Sequence, residues 1–433
     1  MNTDISSATK KRLVVIGGGF AGLNFLKKLR LNDWEIILID RNNFHSFPPL
    51  FYQVASAGLD PGSISFPLRR ELRQRKMKNV HFHLGDVRKI DTAGRRVITQ
   101  FETIPYDELV IAAGTTNNFF GNADLDKYVY TLKSTSEALR CRNDILDRLE
   151  RAAIYKDPEE RCRLLSFTII GGGPTGVEIA GAIGEMKRYI IKREYPAINR
   201  DEVSVTLVEG SDRLLRSMSE KASRETLKYM KHLMVNVKLG KIMTSYDRNV
   251  LSFDDGEQLY SSMVIWTAGV TATPIVFEGK EPEYGPGKRI VVDDFNRVVG
   301  MDHVYALGDI CVHCDSQYPH GLPQLAQVAI QQGRTLARNL NHGSFTRPFR
   351  YKDKGSMATV GRNRAVVDLK HVHISGWFAW LTWMAVHLMS LLGMRNKLTV
   401  LITWIWSYFS YSSSLRILLH PTRYPLRSRW GEK

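Results

Sequence analysis

Apolar residues near the start of the chain fall into short unbroken runs, each stopped by glycines or by an acid. Residues 13–16 form the first run, which stops at Gly17-x-Gly19-x-x-Gly22, where a helical pattern begins. A second run, residues 35–39, stops at Asp40. Strand, glycine turn, helix, strand and terminal acid are the order of a dinucleotide-binding βαβ unit. Gly17 allows the tight turn, Gly19 lets backbone N–H groups approach a pyrophosphate, and Gly22 lets helix and strand pack closely. The helix that opens at Phe20-Ala21 adds partial positive charge at its N-terminus. Asp40 is placed to accept hydrogen bonds from ribose hydroxyls. The competing reading is a glycine-rich turn without a ligand.

The pattern returns at residues 165–170, followed by Gly171-x-Gly173-Pro174-Thr175-Gly176. Its second strand, 203–208, ends at Glu209, 38 residues past Gly171, so a longer connection near Pro196-Ala197 delays it. Gly17 and Gly171 are 154 positions apart, and the segments ending Ala112-Ala113-Gly114 and Thr267-Ala268-Gly269 repeat at 155. A fixed offset at two landmarks indicates two homologous domains. The predicted fold class is α/β, with two Rossmann-like dinucleotide-binding domains. Two such sites in one chain suit one bound flavin and one exchangeable nicotinamide. Glu209 suits the ribose 2′-OH of NADH and repels a 2′-phosphate, while nearby Arg213 keeps NADPH as the lesser alternative. Glu178, in the second motif's helix, is a carboxylate that phosphate binding does not require. It is either functional or an N-terminal helix acid that favours the dipole.

Between these landmarks the pattern is mixed. Residues 42–53 read as a Pro-rich aromatic loop entering a helix near Leu50, with His45 a hydrogen-bonded loop histidine ahead of an acid/base. Alternation over 76–102 predicts antiparallel strands, and residues 109–113 a buried strand. Residues 135–160 and 175–193 read as helices. Residues 300–310 run as a strand into Gly308-Asp309, and Gln327 and Gln331 share one helix face beyond it. Cys311-x-x-Cys314 reads as incidental thiols, because no second pair lies near it, and no metal site is expected.

The last 60 residues change character. Residues 377–393 carry no formal charge, Arg395-Asn396-Lys397 break the run, and residues 398–411 are again apolar. In the second run Asn396, Thr399, Thr403, Ser407, Ser410 and Ser414 recur at steps of three and four, one stripe on an apolar helix rich in Trp and Tyr. Neither run reaches the roughly 20 residues of a membrane span. Two helices lying in the bilayer interface are predicted, aided by Arg416, Arg423, Arg427, Arg429 and Lys433. A dimer interface or buried hairpin is the alternative.

Composition narrows the partners. Lys and Arg number 60 against 44 Asp and Glu, a net charge of +16, which favours anionic lipid or phosphorylated ligands. No aromatic–basic module for nucleic acid stands out. Four cysteines suit a reducing compartment, and residues 1–11 lack the apolar core of a secretory signal.

With two cofactor units, a Gly-Asp strand at Asp309, an Ala326-Gln327-x-x-x-Gln331 helix and an amphipathic tail, the chain resembles the type II NADH:quinone oxidoreductases, single-subunit flavoproteins with two dinucleotide-binding domains. The resemblance runs from Lys11 to about Arg416. It implies FAD on Gly17, Gly19, Phe20, Ala21, Gly22, Asp40, Ala113, Gly114, Asp309, Ala326 and Gln327. It implies NADH on Gly171, Gly173, Pro174, Thr175, Gly176, Glu209, Ala268 and Gly269, with Glu178 near the nicotinamide. Gln327 and Gln331 match glutamines of the quinone pocket, and Lys354 matches a segment beside the flavin. Asp40 departs from the Glu commonest in such FAD units, and the Cys311/Cys314 pair lies outside the family pattern.

The implied domains are 11–118 with 296–345 for FAD, 119–295 for NADH, and 346–433 for the membrane-facing tail. The implied reaction passes a hydride from NADH to FAD and two electrons to a membrane quinone without proton pumping. A homodimer, peripheral on the cytoplasmic face of the inner membrane, is expected. The rivals are a soluble reductase of an iron–sulfur protein and a sulfide:quinone oxidoreductase, which needs cysteines at the flavin.

Overall fold

The computed structural model describes residues 10–73, 77–410 and 415–418. By its internal contacts the chain forms two units, Met1–Ser46, Ser65–Asn118 and Gly269–Lys354 in the first, and Phe47–Ile64, Phe119–Ala268 and Gly355–Lys433 in the second. The first unit opens with β1 (Arg12–Ile16), α1 (Phe20–Lys28) and β2 (Glu35–Asp40). Helix α2 (Phe51–Ala55) belongs to the second unit, and β3 (Val80–Leu84) and β4 (Glu108–Ile111) to the first. The second unit continues through α3 (Thr135–Ile154), β5 (Ser166–Ile170), α4 (Pro174–Glu185), β6 (Ser204–Glu209), β7 (Asn236–Leu239) and β8 (Met263–Trp266). The first is completed by β9 (Val304–Ala306) and α5 (Ala326–Asn341). An antiparallel sheet of β10 (Ser356–Thr359), β11 (Ala365–Asp368) and β12 (His373–Gly376) follows in the second unit, then α6 (Trp377–Ser390) and α7 (Met394–Ser410).

Both main sheets are parallel. The first runs β9-β4-β1-β2-β3 and the second β8-β5-β6-β7, so without β9 the two orders coincide. The repeat seen as glycine spacing is therefore a repeat of topology. The unbroken apolar runs follow from burial on both faces. Leu13 and Val15 pack with Phe25 of α1 and Leu336 of α5, whereas Val14 and Ile16 pack with Val97, Ile104 and Ile290 on the other side. Helices α1 and α5 meet backbone to backbone, for a Cβ on Gly333 would lie 2.5 Å from the Ala21 carbonyl oxygen.

Four expectations change. Residues 80–84 are not antiparallel: β3 pairs in parallel with β2, as the sheet's edge strand. Its alternation arises because one side of an edge strand stays wet, leaving His81 exposed between buried Val80 and Phe82. Antiparallel pairing begins only with Val87–Asp91 against Arg96–Thr99, and Lys76 lies outside the described residues. His45 sits on a short strand, Phe44–Ser46, rather than a loop. The helix read over 175–193 is interrupted, because a π-turn at Met186–Ile190 separates α4 from a last turn, Ile191–Glu194. Helix α3 likewise ends at Ile154, before a separate Pro158–Leu164 helix.

The unit boundaries also differ from those drawn on the sequence. Residues 269–295 fall in the first unit, where Val270–Ala272 pairs with Thr115–Asn117 and Val276–Glu278 with Val87–Asp91. Residues 47–64 fall in the second, where α2 packs on α3 and α4, and residues 355–433 join it through β10 against α4.

Candidate functional site

In the first unit the turn after β1 is built without side chains. Gly17 has φ +102°, and a Cβ there would sit 2.3 Å from the Ala112 carbonyl oxygen. A Cβ on Gly22 would lie 2.0 Å from the Gly17 oxygen. Gly19 caps α1, and a Cβ there meets nothing within 4 Å, as at Gly114. The first two glycines are thus consumed by packing, while Gly19 and Gly114 leave bare backbone facing open space. With no acid in the first turn of α1, that space suits a pyrophosphate. These observations fit a dinucleotide such as FAD.

The Asp40 carboxylate accepts from the backbone N–H of Gly18 at 2.7 Å and of Asn42 at 2.7 Å. Burial raises its pKa above the ordinary value, against the pull of those two donors. His45 is buried with Nδ1 2.9 Å from the Gly18 oxygen, and burial lowers its pKa. It braces the turn, as its hydrogen-bonded reading required.

The second unit repeats this construction. Gly171 has φ +109°, with a would-be Cβ 2.8 Å from the Ala268 backbone, and Gly176 would place one 1.8 Å from the Gly171 oxygen. Gly173 meets nothing within 4 Å and caps α4, whose first turn contains Pro174 and exposed Thr175. Glu209 accepts from Gly172 N–H at 2.5 Å and from the Ser211 N–H and hydroxyl at 2.8 Å each. Both strand-end acids therefore hold the residue between the first two motif glycines, Gly18 and Gly172, a contact that spacing alone does not reveal.

Near Asp309, the Gly308 N–H donates to Gln332 Oε1 at 2.7 Å, and Gln324 Nε2 donates to the Asp309 carbonyl at 3.1 Å. Gln332 is buried and was missed, its only signal being its place beside Gln331. Gln327 and Gln331 lie on one face of α5 and grip a single strand of chain. Gln327 Oε1 accepts from Lys354 N–H at 3.0 Å, and Gln331 pairs with both backbone groups of Lys352 at 2.9 and 3.1 Å. The fold thus brings Gln327, Gln331 and Lys354 together. Cys311 is buried, its thiol donating to the Gly308 oxygen, and Cys314 is exposed; both are free thiols.

Glu178 projects from the second turn of α4 into a buried pocket. Its Oε1 lies 3.5 Å from the Thr359 N–H, a contact at the limit of a hydrogen bond. Burial pushes its pKa up to about 8, opposed by Thr359 and by the Trp383 indole. In the same unit the structure joins residues that sequence reasoning missed: Tyr52 and Gln53 from α2, Trp383 from α6 and Trp404 from α7. They are remote in sequence and read there as loop or tail aromatics.

Helices α6 and α7 turn apolar side chains outward. Phe378 and Met389 are each 71% exposed, and Ile402, Trp406 and Phe409 are 64, 69 and 79% exposed. The C-terminal part of α7's polar stripe meets protein, whereas Thr399 stays exposed. Arg362 donates to the Tyr408 carbonyl at 3.1 Å and the Ser407 hydroxyl at 3.3 Å, and Arg193 to the Ser410 carbonyl at 2.7 Å. Arg416, expected at lipid, is paired with Glu194. Ser414, Arg423, Arg427, Arg429 and Lys433 lie outside the described residues. Among the described residues no helix is long and apolar enough to cross a membrane.

Comparison with known proteins accords with this arrangement. Residues 11–333 match the pyridine nucleotide-disulphide oxidoreductase family, and residues 354–410 match the NDH2 C-terminal domain. The type II NADH:quinone oxidoreductase Ndh of Mycobacterium tuberculosis is 36% identical over 93% of this chain and 89% of its own length. A second protein of that organism, NdhA, is 34% identical over 91% and 86%. Among solved structures, NDH2 of Plasmodium falciparum in complex with NADH superposes with a TM-score of 0.86 at 22% identity, covering 95% of this chain and all of that one. The sulfide:quinone oxidoreductase of Aquifex aeolicus shares the fold at a TM-score of 0.70 and 17% identity, over 95% and 96% of the two chains. The doubled cradle and the apolar helical pair thus place this chain in the family of type II NADH:quinone oxidoreductases.

Proposed function

We propose that, in this FAD-dependent NADH:quinone oxidoreductase, the first cradle holds the flavin nucleotide and the second holds NADH. The observation that carries the reading is the pair of bare-backbone turns, one per unit, in a chain whose terminal helices expose apolar faces. FAD, when bound, would supply the hydride acceptor for NADH and the two-electron donor for the quinone. The chain's own residues bind, orient and exclude water. Gly17, Gly19, Phe20, Ala21, Gly22, Ala113, Gly114, Asp309 and Ala326 would line the FAD, with Asp40 at its ribose. Gly171, Gly173, Pro174, Thr175, Gly176, Ala268 and Gly269 would line the NADH. Glu178 orients the nicotinamide. Gln327 and Gln331 serve the quinone, and Lys354 is held beside the flavin by the Gln327 amide.

The chain associates with the membrane through its C-terminal domain. Attachment on the cytoplasmic face, pairing as a homodimer and turnover without proton pumping belong to the same proposal. Purified protein is expected to oxidise NADH with a short-chain quinone and to leave sulfide untouched. Quinone reduction driven by sulfide but not by NADH would overturn the reading in favour of the sulfide enzyme.

The nicotinamide preference is expected to rest on Glu209. In Glu209→Gln the one remaining oxygen can still accept from Gly172, at the expense of the contact to the Ser211 N–H, and the charge that repels a 2′-phosphate is gone. A charged hydrogen bond is worth about 1.5–3 kcal/mol, so the NADPH-to-NADH ratio of kcat/KM should rise on the order of tenfold or more. A ratio unchanged in steady-state assays would place selection elsewhere.

A further inference from the structure

A chain of contacts within the second unit links the apolar tail to α2, which packs against the helix that carries Glu178. The Trp404 indole of α7 donates through Nε1 to Gln53 Oε1 at 2.8 Å, and Gln53 Nε2 donates to the Tyr52 hydroxyl at 2.9 Å. Tyr52 is buried, and its ring meets that of Trp383 edge-on at 6.3 Å between centroids. Trp383 is 1% exposed, packs on Trp404 at 5.8 Å and stacks on His387 at 4.0 Å. Its indole N–H reaches no partner at hydrogen-bonding distance. Helix α2 packs against α4, the helix that carries Glu178.

Each member is buried or half-buried. Trp404 sits on the protein-facing side of α7, opposite Ile402, Trp406 and Phe409.

We propose that Trp404 and Gln53 are positioning residues for the NADH half of the reaction, acting on Glu178 through Tyr52 and the packing of α2 on α4. A helix that docks on lipid thereby also fixes a side chain of the nicotinamide site. The inference rests on the role given to Glu178 above. It assigns the tail a function in the step that involves neither quinone nor lipid.

The test is stopped-flow reduction of the enzyme-bound flavin by NADH, without quinone or vesicles. Trp404→Phe keeps an aromatic ring and loses the indole donor, while Gln53→Leu removes both hydrogen bonds. Small misplacements of an orienting group cost one to two orders of magnitude, so each variant is expected to slow flavin reduction at saturating NADH about tenfold. The double variant should be no slower than either single one, because both break one path. NAD+ affinity by calorimetry and the melting temperature should stay at parental values.

Glu178→Gln should slow the same step and make Trp404→Phe silent in combination. A slow Glu178→Gln beside a parental Trp404→Phe would overturn the coupling and leave the role of Glu178 standing. A parental Glu178→Gln would overturn that role. A rate loss that tracks a fall in melting temperature would overturn positioning in favour of simple loosening.

Discussion

Gly19→Val is expected to yield a folded, colourless protein, whereas Gly17→Val should fail to fold its first unit. The two glycines are two residues apart in one motif, and only their surroundings separate them. At Gly17 the backbone lies at φ +102° and a Cβ would overlap the Ala112 carbonyl at 2.3 Å, so any side chain must displace the contact between β1 and the end of β4. At Gly19 φ is −73° and no protein atom lies within 4 Å of a Cβ. A valine there disturbs only what occupies the open space. Overpacking of one to three methyl-sized groups costs about 1–3 kcal/mol, and at the upper end flavin affinity falls on the order of a hundredfold. The flavin-to-protein absorbance ratio after gel filtration, read beside far-ultraviolet circular dichroism, separates the outcomes. A yellow Gly19→Val protein would show that the first turn does not carry the cofactor.

The second large effect is expected at the membrane. Replacing Ile402, Trp406 and Phe409 together by serine removes three side chains that now stand mostly in solvent. Burying each in an apolar medium is worth about 1.5–3 kcal/mol, so the triple variant should lose about 5 kcal/mol of attachment, on the order of a thousandfold in vesicle partition. Because none of the three faces protein, the melting temperature should hold. Flotation with phospholipid vesicles measures the loss. Parental flotation of the triple variant would mean that another surface carries the attachment.

The two cradles were legible because their requirements are local: a positive φ, a helix start and an acid at a strand end each leave a mark within a few residues. The parallel pairing of β3 was not, because an edge strand with one wet side alternates like an antiparallel one. The Glu178 surroundings were hidden for a different reason. Tyr52, Trp383 and Trp404 come from three separate segments, and their meeting depends on α2 packing with the second unit although it falls between two strands of the first. The tail's periodicity was read correctly as a stripe, but periodicity does not say which side the protein takes.

That last point bears on how the anchor evolved and how it can be moved. Arg362 holds the Ser407 hydroxyl and Arg193 the Ser410 carbonyl, so the side of α7 turned away from Ile402, Trp406 and Phe409 is completed by the rest of its unit. Grafted onto an unrelated carrier, it would lose both arginines while keeping its exposed Ile402, Trp406 and Phe409, and the expected result is clumping rather than orderly attachment. The anchor is an integral limb of its host, not an interchangeable tag.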